Sequence, residues 1–194
     1  MSEFERLLSA AKAGDQDAFG LLFRAVQPLL LRYLSALGGS LAEDCAAETW
    51  LHVIRGLSRF AGDESGFRAW VFTIGRRRMV DELRRRSGRE VPCDDPDGLR
   101  GDPGDATCDP AVTLEERQDT AWALELLARL PVEQREAIFL RHVAGLDVRR
   151  TADVLGRSPG SVRVATHRGL RRLGMMVRDR AGNGFAALPD VEVW

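Results

Sequence analysis

Apolar positions recur at helical spacing through most of this chain, and the pattern predicts helices without strands. Phe4, Leu7, Leu8 and Ala11 place one stripe on an amino-terminal helix. From Asp15 to Leu37 the positions Phe19, Leu22, Phe23, Val26, Leu29, Leu30, Tyr33, Leu34 and Leu37 keep the same period. Pro28 should kink this second helix by removing a backbone donor, and Gly38 and Gly39 should end it. A third helix is predicted over Leu41 to Phe60, with Ala46, Trp50, Val53, Ile54 and Leu57 inward and Asp44, Glu48 and Leu51 on another face. The fourth, about Phe67 to Arg86, carries two stripes. One is Phe72, Met79 and Leu83; the other starts as Phe67, Trp70, Val71 and Ile74 and turns into Arg77, Arg78, Arg84 and Arg85.

Periodicity vanishes between Ser87 and Ala111, where Pro92, Pro96, Pro103 and Pro110 alternate with glycines and seven acids stand against two arginines. This reads as a flexible acidic linker between two helical domains. Helical spacing resumes near Thr113, with Trp122, Leu126 and Leu127 inward.

The segment from Leu130 to Leu173 is the most specific on the chain. Val148, Thr151, Ala152 and Leu155 mark a short amphipathic helix that Gly156 breaks. Ser158 is placed to cap the next helix, and Pro159 suits its first position, where no amide donor is needed. Along that second helix Val162, Thr166, Gly169 and Leu173 collect on one side, and Val164, His167, Arg168 and Arg171 on the other. Two helices joined by a tight turn, the second basic and free of acid on its outer face, describe a helix-turn-helix whose second helix enters the DNA major groove. Arginine neutralises phosphate and bonds guanine in bidentate fashion, and Val164 suits a thymine methyl group.

Charge sharpens this picture through its distribution. The 194 residues carry 28 basic and 29 acidic side chains, a net charge of −1. Yet Arg76, Arg77, Arg78, Arg84, Arg85, Arg86 and Arg89 form one basic block, and residues Arg163 to Arg180 hold a second. Rings beside arginines on the fourth helix suit unpaired nucleic acid, because bases stack on aromatics while phosphates sit on cations. Packing in the core is the competing use for Phe67 and Trp70.

Other chemistry is poorly represented. Cys45, Cys93 and Cys108 share no metal-ligand spacing with the three histidines and read as free thiols in a reducing compartment. There is no nucleophile–base pair and no phosphate-cradling glycine loop, so neither catalytic residues nor a cofactor or metal are expected. The amino terminus lacks a signal peptide's features and no window approaches a membrane span, which predicts a cytoplasmic protein without membrane insertion.

Four segments together resemble the extracytoplasmic-function (ECF) group of bacterial RNA polymerase sigma factors. "GDQDAFGLLFRAVQPLLLRYL" and "AEDCAAETWLHVIRGLSRF" are similar to the early helices of sigma domain 2, the latter to its polymerase-docking helix. "FRAWVFTIGRRRMVDELRRR" looks like the helix that melts the promoter and reads its minus-ten element, and the segment from Leu130 to Leu173 like sigma domain 4. The resemblance implies an all-α fold with domain 2 over residues 1–87, a linker over 88–111, domain 4 over 112–180 and a short tail over 181–194.

It further implies a non-enzymatic subunit that binds core RNA polymerase, through the clamp of the beta-prime subunit and the flap of the beta subunit, and promoter DNA. Asp44, Glu48 and Leu51 match clamp-facing positions. Phe67, Trp70, Arg76, Arg77, Arg78 and Arg84 match the surface that meets the melted minus-ten strand. Ser161, Arg163, Val164, His167, Arg168 and Arg171 match the helix that reads the minus-thirty-five element. An anti-sigma factor wedged between the two domains is a further partner that the resemblance implies. Ala47 stands where the family often has glutamine, and Arg77 where many members carry an asparagine that holds a flipped base. Two readings from other classes compete: a stand-alone helix-turn-helix regulator acting as a dimer, which has no need of the Asp44–Glu48 face, and an enzyme.

Overall fold

The computed structural model describes residues 2–87, Trp122 and residues 125–181, and among these it contains helices and no strands. The linker over 88–111 and nearly all of the carboxyl-terminal tail lie outside the described residues, as do Cys93 and Cys108.

Helix α1 (Glu3–Lys12) opens with a capping box, in which Ser2 Oγ accepts the Glu5 amide and Glu5 accepts the Ser2 amide. Helix α2 (Gln16–Gly38) is capped by Asp15 and continues as helix through Pro28. Gly39, at φ 53°, ends it where the sequence predicted a stop. Gly38 allows a second close approach: a Cβ there would fall 2.1 Å from Met79 Sδ. Helix α3 (Ala42–Gly56) is flanked by single 3₁₀ turns, and α4 (Glu64–Ser87) crosses both α2 and α3.

These four helices bury one stripe each, with Leu30, Leu34, Val53, Phe72 and Met79 at the centre. Ile54, expected to face inward, is instead 54% exposed. It lies one position past Val53 on α3, at the edge of a concavity that it lines with Lys12 of α1 and Gln16 and Phe19 of α2.

A second bundle comprises α5 (Val132–Ile138), a π-turn over Phe139–Val143, α6 (Val148–Leu155) and α7 (Pro159–Ala181). A helical stretch over 125–128 precedes it and buries Leu126 and Leu127. Helix α7 packs across α5 at Gly169, where a Cβ would stand 2.6 Å from Ile138 Cδ1.

The two bundles share a continuous core. Tyr33 of α2 and Phe72 of α4 meet Phe139 of the second bundle, with ring centroids 5.3–6.4 Å apart, and α4 packs along α6. The domains predicted as tethered are therefore in direct contact.

Candidate nucleic-acid interface

The helix-turn-helix is built as its sequence dictates. Asp147 Oδ1 accepts the Arg150 amide (2.9 Å) and caps α6; Gly156, left-handed at φ 65°, closes it. Ser158 Oγ accepts the Ser161 amide (3.2 Å), and Pro159 begins α7. Thr151, Ala152, Val154 and Leu155 of α6 and Val162 and Thr166 of α7 are buried.

This packing turns Arg163, Val164, His167, Arg168 and Arg171 outward, with Ser161 at the edge. Val164 is 48% exposed, an apolar group left on an otherwise cationic face. None of Arg163, His167, Arg168 and Arg171 has a side-chain partner among the described residues. No acid occurs on α7 before residue 179 to neutralise them. Three unpaired guanidinium groups at spacings of three and five residues form a surface suited to a polyanion.

Helix α4 tells a more divided story. Phe67, expected at the surface, is a core residue at 1% exposure, wrapped by Phe4 and Phe60 with ring centroids 5.9 and 5.5 Å away. The apolar period of α4 could not show that α1 returns to cover this side, so Phe67 is withdrawn from the nucleic-acid surface. Trp70 is half-buried, stacked on Phe60 at 5.1 Å and resting on Gly56, where a Cβ would be 2.9 Å away. Arg77 is exposed and without a side-chain partner among the described residues. Arg78 is held over α3: its Nη2 lies 2.5 Å from His52 Nε2 and its Nη1 3.7 Å from Glu48 Oε2. Arg84 is partly buried, whereas Arg85 and Arg86 both pair with Glu82.

Arg76 faces the second bundle. Its Nε and Nη2 donate to the two carboxylate oxygens of Glu136 (2.8 and 3.3 Å), and Tyr33 Oη donates to Glu136 Oε1 at 2.6 Å. The Glu136 side chain is only 4% exposed. Burial and the neighbouring carboxylate push the Tyr33 phenol well above its ordinary pKa. Sequence reasoning missed Glu136, because its partners lie 60 and 103 residues away and no local spacing announces them.

On α3, Asp44, Glu48 and Leu51 are exposed on one face, with Leu51 at 52%. They line a concavity of about 520 Å³ against α4, together with Arg78 and Glu82. Cys45 behind it is a buried free thiol, raised by burial and the surrounding carboxylates to a pKa of about 11. Among the described residues no helix is long and apolar enough to cross a membrane.

Comparison with known proteins defines the class first. Residues 22–89 match the family model Sigma-70 region 2, and residues 120–173 match Sigma-70, region 4. The chain is 37% identical over 182 residues to the ECF RNA polymerase sigma factor ShbA of Streptomyces griseus, covering 86% of this chain and 91% of that one. It is 32% identical over 178 residues to the ECF sigma factor SigD of Mycobacterium tuberculosis, covering 87% and 81%. Among solved structures it is similar to the sigma factor RpoE of Bartonella quintana in complex with the anti-sigma factor NepR. That likeness has a TM-score of 0.63 and 25% identity, and covers 82% of this chain and 96% of the other. The chain belongs to the ECF group of the sigma-70 family of bacterial RNA polymerase sigma factors. It is thus a specificity subunit that binds core polymerase, recognises minus-thirty-five and minus-ten promoter elements and assists promoter opening.

Proposed function

We propose the following division of labour among the residues of this sigma factor. The chain divides into domain 2 over residues 1–87, a linker over 88–111 and domain 4 over 112–180, with a short tail after it. Ser161, Arg163, Val164, His167, Arg168 and Arg171 of α7 read the minus-thirty-five element in the major groove. The observation that carries this is the acid-free face of α7, whose guanidinium groups are exposed and unpartnered among the described residues. Trp70, Arg76, Arg77, Arg78 and Arg84 of α4 meet the minus-ten strand, the cations on phosphate and Trp70 on a base once it leaves Phe60. Extrusion of a base costs a few kcal/mol, which stacking and a pocket on domain 2 offset.

Asp44, Glu48 and Leu51 dock on the clamp of the beta-prime subunit, and domain 4 meets the flap of the beta subunit. Exposed acids beside an exposed leucine suit a basic partner surface with an apolar centre. The subunit has no catalytic role of its own, since nucleotide addition belongs to the core enzyme, and it works in the cytoplasm, where that enzyme is. An anti-sigma factor is a further partner, by analogy with the complex of RpoE with NepR.

The test is size-exclusion chromatography with purified bacterial core polymerase. The wild-type chain co-elutes with core, and an Asp44→Arg/Glu48→Arg variant that melts normally does not. A chain that ignores core and migrates as a DNA-binding dimer overturns this reading in favour of the stand-alone regulator.

A further inference from the structure

Lys12, in the last turn of α1, reaches a backbone group 48 residues away: its Nζ donates to the carbonyl oxygen of Phe60 at 2.5 Å. Phe60 is where the chain leaves the 3₁₀ turn Leu57–Arg59, with its amide still bonded to Leu57 and its ψ of 132° already extended. Its carbonyl is therefore outside the helical bonding pattern and is satisfied from α1 instead. Beside this bond α1 and the turn stand apart, since Ala11, Lys12, Leu57 and Ser58 line a concavity of about 560 Å³, and Lys12 bridges them. The Phe60 ring stacks on Trp70, with centroids 5.1 Å apart and planes at 20°, and meets the edge of Phe67 at 5.5 Å. Phe67 in turn packs on Phe4 of α1. Helix α1 thus holds Phe60 directly at its backbone and, through Phe67, at its ring. The match to Sigma-70 region 2 begins at residue 22, so this hold comes from a segment ahead of it.

We propose that Lys12 is a positioning residue for minus-ten recognition: by fixing Phe60 from α1, it lets Trp70 part from that ring and take a base. The inference rests on the assignment of Trp70 to the minus-ten strand. A base stacks on the face that Phe60 covers only after the two rings separate. With its backbone anchored, Phe60 stays behind when Trp70 turns outward. Without the anchor it follows, keeps the stack closed and competes with the base. An ammonium on a long stem suits this task, because a charge-assisted hydrogen bond is stronger than a neutral one and reaches across the gap. Lys12 itself is exposed, so it acts on the platform without belonging to the core.

The experiment compares the full chain with Lys12→Met, which keeps the aliphatic stem and loses the donor, and with Lys12→Arg, which restores a cationic donor. Trp70→Ala and the double variant Lys12→Met/Trp70→Ala complete a cycle. Fluorescence anisotropy of a short mixed-sequence single-stranded DNA is read at several salt concentrations, and circular dichroism follows the melt. The proposal expects Lys12→Met to keep a cooperative melt and to bind the strand about fivefold more weakly, the size of one ordinary net hydrogen bond. Lys12→Arg regains most of that loss. In the Trp70→Ala background the Lys12 substitution has no further effect, because Lys12 acts through the ring that Trp70 leaves. A salt dependence reduced by about 0.7 in slope makes Lys12 a phosphate contact and overturns the positioning role. Additive losses overturn it too. Normal binding by Lys12→Met beside weak binding by Trp70→Ala overturns the role of Lys12 and leaves the Trp70 assignment standing. Normal binding by Trp70→Ala overturns that assignment, and the proposal with it.

Discussion

Arg76 and Glu136, 60 residues apart, join α4 to α5 of the helix-turn-helix bundle through an ion pair with Nε–Oε1 of 2.8 Å. Tyr33 completes the group by donating to the same oxygen. Tyr33→Phe removes that donor while keeping the ring that packs on Phe72 and Phe139, and leaves part of a buried carboxylate unsatisfied. The expected loss is about 1.5–3 kcal/mol, as for a hydrogen bond to a charged group, read as a lower midpoint in chemical denaturation with unchanged helical content.

Arg168→Ala removes one guanidinium from the exposed face of α7 without touching the core. Affinity for a duplex carrying the cognate minus-thirty-five element should fall by about 1–3 kcal/mol if Arg168 bonds a base, and the fall should vary with the sequence bound. Core polymerase binding stays intact. Unchanged transcription from a cognate promoter sinks the assignment.

Gly38→Ala places a methyl group where Met79 Sδ now lies, 2.1 Å from the new Cβ. Met79 is fully buried, so it must leave its position and disturb the junction of α2 and α4. A cost of about 1–3 kcal/mol is expected from such overpacking, measured by thermal or denaturant unfolding. A shorter partner in the double variant Gly38→Ala/Met79→Leu should recover part of it.

Asp147→Ala deletes the cap of the first helix of the helix-turn-helix, where Oδ1 accepts the Arg150 amide at 2.9 Å. Loss of about 1 kcal/mol is expected. Hydrogen exchange should quicken at the amides of the first turn of α6 and leave α3 unaffected.

Alkaline pH should destabilise the fold. Cys45 titrates near 9 when unfolded and near 11 in the folded chain, and burial raises Tyr33 as well. Between those values the unfolded state has lost a proton that the native state retains, so stability is complete below about pH 9 and declines as pH rises toward 11. Melting temperatures recorded from pH 8 upward check the sign. In parallel, the Cys45 peptide should resist alkylation in the native protein near pH 8 and react once denatured, because both burial and the low thiolate fraction protect it.

Sequence alone determined the elements that rest on local rules. The turn and the two faces of the helix-turn-helix were legible, since Gly156, Ser158 and Pro159 act within their own turns and the apolar period of α6 and α7 separates an inner from an outer face, whereas the Asp147 cap emerged only in the structure. The exposed positions of Asp44, Glu48 and Leu51 followed from the same periodicity. Tertiary structure decided what each stripe meets. Phe67 is buried because Phe4 of α1 reaches it, and Ile54 is exposed although it shares the helical period of α3, and no period encodes which neighbour covers a given turn. The Arg76–Glu136–Tyr33 group is the clearest case: Tyr33 reads as one position of an apolar stripe, Arg76 as a DNA-facing cation and Glu136 as an ordinary polar residue, and only the docking of two distant segments removes water and makes their charges depend on one another.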